Sequence, residues 1–418
     1  MDTETLIQTI EEILARGIRQ VPLPDFVRIN PLHRQLWEMS HADTSHAALT
    51  PLVSLMEKDP DLRRFERGWM RLGWGGGGSI SLFAIADWLV ADANLNGART
   101  TATAFERFVQ SNEATAYTVL AVRGITVTEP VELLESVTLQ PLNSLPPSYG
   151  QVVLAQVISG LHPFGHPDIP ANAAAIVFKD PTFSPVVTPS IIPIPASPED
   201  MDKLTHRAET LADVLRCLTI VGPCSPVAIG TWTQLIGHGV PMTGGGGYGY
   251  NHETAFARPV TMGPFDAEEA QAVIKAFYAR LPAVRRDLRI PLDRLNRAIR
   301  GNSLADQAID LGIALEAILF HGSGETDELA FRLSLRGAWL GASSEVDRFE
   351  QYRLLRRLYR LRSKAVHTGE LSNSKAEQQR KLLKCGFHLC SILLKRIITE
   401  GKWPASSGEW DQLVLGFQ

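Results

Sequence analysis

The chain has 418 residues, 44% of them hydrophobic and 21% charged, with a formal net charge of −4 at pH 7. Its length allows two or three domains, each with its own core, and its composition is typical of a globular protein. It contains no run of about 20 apolar residues and no basic leader followed by an apolar segment. We therefore expect neither a membrane span nor a signal peptide.

The four cysteines, Cys217, Cys224, Cys385 and Cys390, fit no zinc-binding spacing. Nothing in their use indicates secretion, so we expect reduced thiols in the cytoplasm. His162 and His166 stand among prolines and a glycine, where turn histidines are a better interpretation than metal ligands. We predict no metal site and no cofactor.

The charges are divided unevenly along the chain. Residues 281–418 carry 22 Lys and Arg against 16 Asp and Glu, a net of +6, which leaves −10 for the remainder. Such a division suggests that the basic part meets a polyanion. A solvated basic helix face is the alternative interpretation.

The sequence predicts a mixed α/β region over residues 1–285, which could consist of two subdomains. Residues 1–112 have mainly helical patterns, beginning with an amphipathic helix from Thr3 to Arg16. Residues 113–285 combine helices with strand patterns, which begin near Thr115, and we expect strands between Pro130 and Phe178. The topology of this region does not follow from the sequence.

Two glycine-rich stretches fall in the same region. Gly75–Gly78 precedes an apolar helix, and glycines at a helix start can hold phosphate. No Walker motif or dinucleotide fingerprint accompanies them, which favours a flexible loop. Residues 238–256 form either a mobile hairpin tip or a binding loop whose aromatic side chains stack on bases.

From residue 286 to 418 the apolar period becomes that of helices, which predicts an all-α, up-and-down bundle and an α+β chain. Ala308 to Phe320 is apolar nearly all round, so this helix should lie at the bundle centre. Glu316 is the one charge in its last turns, and a buried carboxylate needs a cation. Arg332, Arg336 and Arg362 are the candidates, and we expect Arg332 or Arg336 to form this structural ion pair and Arg362 to serve function.

A long helix is predicted from Glu345 to Thr368, with Gly369 as its left-handed cap. At about 100° per residue, apolar side chains share one broad arc and five cations share the opposite face. These cations are Arg353, Arg356, Arg357, Arg360 and Lys364. Arg362 falls within the apolar arc, where an unpaired guanidinium is costly, and His367 follows at the helix end.

The run from Arg362 to His367 fits the Arg-x4-6-His motif of HEPN domains. Together with two helical segments before it, AIDLGIALEAILF and DELAFRLSLRGAWL, it resembles the Apea-like branch of that superfamily. The resemblance covers roughly residues 290 to 400, about a quarter of the 418 residues.

The resemblance implies a metal-independent endoribonuclease with RNA as its partner, and it suggests the role of a toxin or antiviral effector. His367 would act as base or acid, since histidine exchanges a proton near neutral pH. Arg362 would clamp the phosphate, since arginine binds its oxygens bidentately. Ser363, where many members carry Asn, Asp or His, completes the catalytic candidates, and the five cations would bind RNA.

Positions five apart on a regular helix project about 140° apart. Arg362 and His367 therefore meet only if the last turn unwinds or if a second chain completes the site. Family members place two motifs face to face, which favours a homodimer. An apolar strip of Leu355, Tyr359 and Val366 would lie at its interface.

A second interpretation needs no catalysis. Arg362 would tie helices together, and His367 would meet the negative end of the helix dipole. The protein would then be a dimerisation or RNA-binding module whose N-terminal region senses a signal. Ser363 favours this interpretation, whereas the Arg–His pair favours the enzyme.

Overall fold

A computed structural model gives the fold. It describes residues 2–16, 19–20, 42–43, 46–66, 68–71, 77–110, 114–146, 150–151, 154, 173–183, 186–188, 197–236, 260–261, 264–324 and 327–416. His162, His166 and the glycine-rich segment 238–256 lie outside these residues. Gly77 and Gly78 of the other glycine run lie in a strand.

The described residues form twelve α-helices and twelve strands. The helices are α1 (Thr3–Ala15), α2 (His46–Glu57), α3 (Leu82–Asn96), α4 (Ala98–Gln110), α5 (Pro198–Leu218), α6 (Pro264–Tyr278), α7 (Pro282–Arg300), α8 (Leu304–Leu319), α9 (Leu329–Gly341), α10 (Glu345–Thr368), α11 (Ala376–Glu400) and α12 (Ser407–Leu415). The strands are β1 (Arg19–Gln20), β2 (Ala42–Asp43), β3 (Gly68–Arg71), β4 (Gly77–Ile80), β5 (Ala114–Arg123), β6 (Ile125–Thr126), β7 (Val131–Leu134), β8 (Val137–Pro141), β9 (Ala174–Phe183), β10 (Val186–Thr188), β11 (Val227–Ile236) and β12 (Val260–Thr261).

The largest sheet among the described residues has five strands in the order β11-β5-β9-β8-β7. Strands β8 and β9 pair antiparallel, with Val137 opposite Phe178 and Pro141 opposite Ala174. The strands predicted between Pro130 and Phe178 are therefore present, and every described element from α6 onward is helical. The predicted α+β class with a helical C-terminal part is confirmed. None of the described helices combines the length and apolarity needed to cross a bilayer.

The chain divides into two compact units, each built from several segments. The first contains residues 1–121, 136–209 and 228–251, and the second contains 122–135, 210–227 and 252–418. This division differs from the predicted boundary at residue 285. Long-range contacts explain the difference, because within the second unit the Gln271 amide on α6 donates to the Glu132 carbonyl at 2.9 Å.

The described residues of the first unit form two hydrophobic clusters. One is formed by α1 to α4, and the other by the sheet around Trp232. Helix α1 is amphipathic as predicted, and its inward face buries Leu6, Ile7, Ile10 and Ile13. The Asp2 carboxylate caps it by accepting from the Thr5 side chain and backbone N–H, bonds that lower the pKa of Asp2.

Helix α8 is the centre of the second unit, as predicted. It contacts α7, α9, α10 and α11 and buries a nearly continuous apolar surface. Gly386 lets α11 approach closely, because a Cβ there would lie 2.7 Å from Leu311 and 2.9 Å from Leu358. Packing around α8 thus fixes the position of α10, which carries the candidate site.

Candidate functional site

Helix α10 is regular over its whole length. The Ser344 hydroxyl accepts from the Asp347 N–H at its start, and Gly369, with φ of 69°, donates to the Ala365 carbonyl at 2.9 Å at its end. The predicted helix and cap are confirmed. Because the last turn does not unwind, Arg362 and His367 project about 140° apart. One chain alone cannot aim both at the same phosphate.

Arg362 points inward, toward α8. Its Nη2 donates to Glu316 Oε2 at 3.1 Å, and about a quarter of each side chain is exposed, 26% and 25%. Its guanidinium carbon lies 5.9 Å from the centre of the Tyr359 ring. Its Nε is buried and makes no hydrogen bond to any described residue.

The prediction that Arg332 or Arg336 pairs with Glu316 was wrong. The carboxylate pairs with Arg362 and with neither Arg332 nor Arg336. Arg336 instead donates to the Leu319 carbonyl and the Ser323 hydroxyl, both at 3.2 Å. Its guanidinium also stacks over the rings of Phe320 and Trp410. Arg336 is therefore structural, but it holds the end of α8 rather than the buried carboxylate.

Gly312 explains why Arg362 reaches Glu316. A Cβ at Gly312 would lie 2.5 Å from Arg362 Cγ and 3.2 Å from its Cβ, so only glycine leaves room for the arginine stem. Gly312 and Glu316 are four residues apart and share one face of α8. This glycine four residues before a lone acid was a usable sequence signal that our prediction missed.

Glu316 has its pKa raised above the ordinary value of a glutamate. Burial is the larger cause, and the attraction of the Arg362 guanidinium opposes it. The charged pair is therefore formed in a poorly solvated place.

His367 and Ser363 are not part of this pair. His367 is exposed, Ser363 is half-buried, and neither side chain makes a hydrogen bond to a described residue. The structure thus brings Arg362 to Glu316 and leaves the other two catalytic candidates apart from it.

An exposed line of side chains, here called the outer stripe, runs along α10 on the side away from α8. Its members are separated by four, four, three, four and three residues, the spacing of one helix face. They are Phe349, Arg353, Arg357, Arg360, Lys364 and His367. Of the four cations, Arg353 lies 3.8 Å from Glu350, while the other three make no ion pair with a described residue.

Arg356, the fifth predicted cation, differs from the others. It is half-buried, its Nη1 lies 3.0 Å from the Tyr352 hydroxyl, and its guanidinium carbon lies 5.9 Å from the centre of that ring. It therefore packs beside the outer stripe rather than within it.

The predicted interface strip is only partly exposed. Leu355 is completely buried within the chain, so its assignment to an interface was wrong. Tyr359 is half-buried, and Val366 is 48% exposed. Leu355 is part of the bundle core because it packs where Gly337 lets α9 approach α10.

The nearest pocket offers little chemistry. It is small, it lies between α8, α9, α10 and α11, and its lining is apolar apart from the hydroxyl of Tyr359. Within the described ranges, no group of three or more His, Cys, Asp or Glu side chains is placed to hold a metal ion. The candidate site is therefore a helix surface rather than a cavity.

Comparison with known proteins gives no relative: no family model, no curated protein and no solved structure matches the chain.

Proposed function

We propose that the chain is a metal-independent endoribonuclease of the HEPN type, whose site forms between two copies. His367 of one copy would face Arg362 of the other. The observation that supports this is the regular last turn of α10, which separates the two side chains by about 140° within one copy. His367 is also exposed and without a hydrogen-bonding partner in the described residues, as a group that meets a second molecule should be.

The proposed chemistry is transesterification. The 2′-hydroxyl of RNA attacks the adjacent phosphorus, the bond to the 5′-oxygen breaks, and a 2′,3′-cyclic phosphate and a 5′-hydroxyl form. His367 takes the proton of the 2′-hydroxyl or gives one to the leaving 5′-oxygen. Arg362 stabilises the negative charge on the phosphorus oxygens.

The Glu316 ion pair is compatible with this role of Arg362. Glu316 holds the Nη2 edge of the guanidinium at 3.1 Å. Nη1 makes no hydrogen bond to a described residue and, unlike Nε, is not buried. Glu316 would thus orient the arginine and leave the Nη1 amino group for a phosphate oxygen, while Arg357, Arg360 and Lys364 of the outer stripe would bind the RNA backbone.

The first experiment compares wild type with His367→Ala on total RNA in the presence of a chelator. General acid–base catalysis contributes about 10²- to 10⁴-fold, so we expect cleavage to fall by that factor and wild-type products to carry cyclic phosphate ends. His388→Ala removes an exposed histidine from α11 and is the matched control. Equal cleavage by His367→Ala, or cleavage only with added metal, would refute the mechanism.

The second experiment tests whether two copies share the site. Arg362→Ala and His367→Ala should each be inactive, but a mixture allowed to exchange subunits should regain activity, because a mixed dimer keeps one intact pair. Light scattering should give twice the 45.9 kDa of one chain. A protein that binds RNA but never cleaves it would instead be the non-catalytic module.

A further inference from the structure

We propose that the outer stripe selects single-stranded RNA, by stacking an unpaired base on Phe349 at the end opposite His367. This inference rests on the proposed function and names the substrate class of its site. The residues that carry it are an aromatic cluster of Phe331, Phe349 and Tyr352, together with the cations that continue the stripe.

The aromatic cluster is open to solvent. Phe349 is 60% exposed and Phe331 is 45% exposed. The Phe331 and Tyr352 rings meet edge to face, with centroids 6.5 Å apart. Phe349 and Tyr352 are three residues apart and are therefore neighbours on the helix surface. The exposed ring faces of this cluster are flat and apolar. In the free protein they contact water, which a stacked base would displace.

Arginines flank these rings. The Arg353 guanidinium carbon lies 5.7 Å from the centre of the Phe349 ring, and that of Arg356 lies beside Tyr352. Aromatic rings combined with arginine are the usual means of binding single strands, since bases stack on rings and arginines contribute cation–π contacts. A base inside a duplex has both faces covered by its neighbours, so this contact requires an unpaired base.

The outer stripe could be covered by RNA or by a second copy of the chain, and its charge distinguishes the two. Arg357, Arg360 and Lys364 continue the stripe and form no ion pair with a described residue. A two-fold contact centred on these three cations would place cations of one copy against cations of the other, which is unfavourable. The contact that the proposed site requires meets the stripe only at its His367 end. A polyanion neutralises them, so the cations favour RNA along the stripe.

The stripe also sets a length. Phe349 and His367 are 18 residues apart, which is about 27 Å along a helix at 1.5 Å per residue. A base stacked on Phe349 is therefore held well away from the phosphate that reacts at His367. The substrate must be a single strand long enough to reach both ends.

Binding to the full-length chain can be measured without cleavage. The probe is a fluorescent, fully 2′-O-methylated oligonucleotide, which has no attacking hydroxyl, longer than the roughly 4–16 nucleotides that such surfaces cover. Stacking is worth about 1–3 kcal/mol per base, or about 5- to 150-fold in affinity. Phe349→Ala and Phe349→Leu should each lose this factor, and Phe349→Tyr should bind like wild type. Ile290→Ala, which truncates an exposed apolar side chain on α7, is the matched control.

The salt dependence of affinity distinguishes the contribution of the cations from that of Phe349. Affinity for a single strand falls with salt by a slope of about 0.7 per neutralised phosphate. Arg357→Ala combined with Arg360→Ala should reduce that slope by about 1.4, whereas Phe349→Ala should leave it unchanged. Arg286→Ala combined with Arg297→Ala removes two exposed charges from α7 and should change neither slope nor affinity.

Two outcomes would overturn the inference. One is wild-type affinity in Phe349→Leu, and the other is equal affinity of wild type for the single strand and its duplex. If the Phe349 variants change the mass in light scattering but not the affinity, a second copy covers the cluster. Because the probe cannot be cleaved, a failure of the proposed nuclease chemistry leaves these binding results unaffected.

Discussion

Glu316 is the residue at which burial and pairing oppose each other most directly. Its pKa is raised although Arg362 Nη2 lies only 3.1 Å away, so loss of water outweighs the attraction of the pair. An ion pair of this kind adds little stability. Its role in the proposed site would be to hold the Arg362 guanidinium in one orientation.

The pH dependence of stability tests this balance. The folded pKa of Glu316 lies above its ordinary value of 4.5, so the folded state binds the proton more tightly. The contribution of Glu316 to stability is therefore present below 4.5 and is lost as pH rises through the raised pKa. Glu316→Gln removes this dependence.

We expect the melting temperature of Glu316→Gln, relative to wild type, to increase as pH rises from 4.5 and then to level off. Thermal unfolding of both proteins across a pH series measures the difference. A difference that does not change with pH, or one that decreases, would show that burial is not the dominant effect at Glu316.

Helix α10 depends on the glycine that ends it. Gly369 has φ of 69°, and a Cβ there would meet nothing within 4 Å. A substitution is therefore opposed by the backbone conformation alone. Gly369→Ala should lower the free energy of unfolding by about 1–2 kcal/mol, and Gly369→Asn should cost less, since asparagine tolerates the left-handed region.

Urea unfolding measures these changes, and hydrogen exchange should show faster opening of the last turn, which contains His367. Gly408→Ala is the control, because Gly408 has an ordinary φ and equally open surroundings. It should be neutral or slightly stabilising. If Gly369→Ala is as stable as wild type, the cap does not hold the last turn.

The helices of the second half could be predicted because each carries a strong local signal. The apolar pattern of Ala308 to Phe320 located α8, which is observed as Leu304–Leu319. The partner of Glu316 could not be predicted in the same way. Three arginines occupy compatible positions in the sequence, and only the close approach at Gly312 decides for Arg362.

At the scale of the whole molecule, the division into units depends on contacts between distant segments. Asp213 on α5 accepts from Arg289 on α7 through Nε and Nη2, each at 2.8 Å, and from Arg216 at 2.9 Å. Nearby, burial raises the pKa of Tyr278 to about 12; the hydrogen bond to Thr210 opposes this increase, and the charge of Asp213 adds to it. Such a buried pairing leaves no local periodic pattern, so the sequence predicted one boundary near residue 285 instead.

Asp213 should therefore be a main determinant of the stability of the second unit. Its side chain is 2% exposed, and Asp213→Asn removes the charged carboxylate that the Arg216 and Arg289 guanidinium groups share. Breaking a buried pair costs roughly 3–5 kcal/mol. We expect the lower end of this range, because both arginine side chains are about a quarter exposed, 24% and 27%. Asp293→Asn removes the other carboxylate of Arg216 at a half-exposed position and should cost at most about 1 kcal/mol. Urea unfolding of the two variants measures the contrast, and equal costs would show that Asp213 does not hold the segments of this unit together.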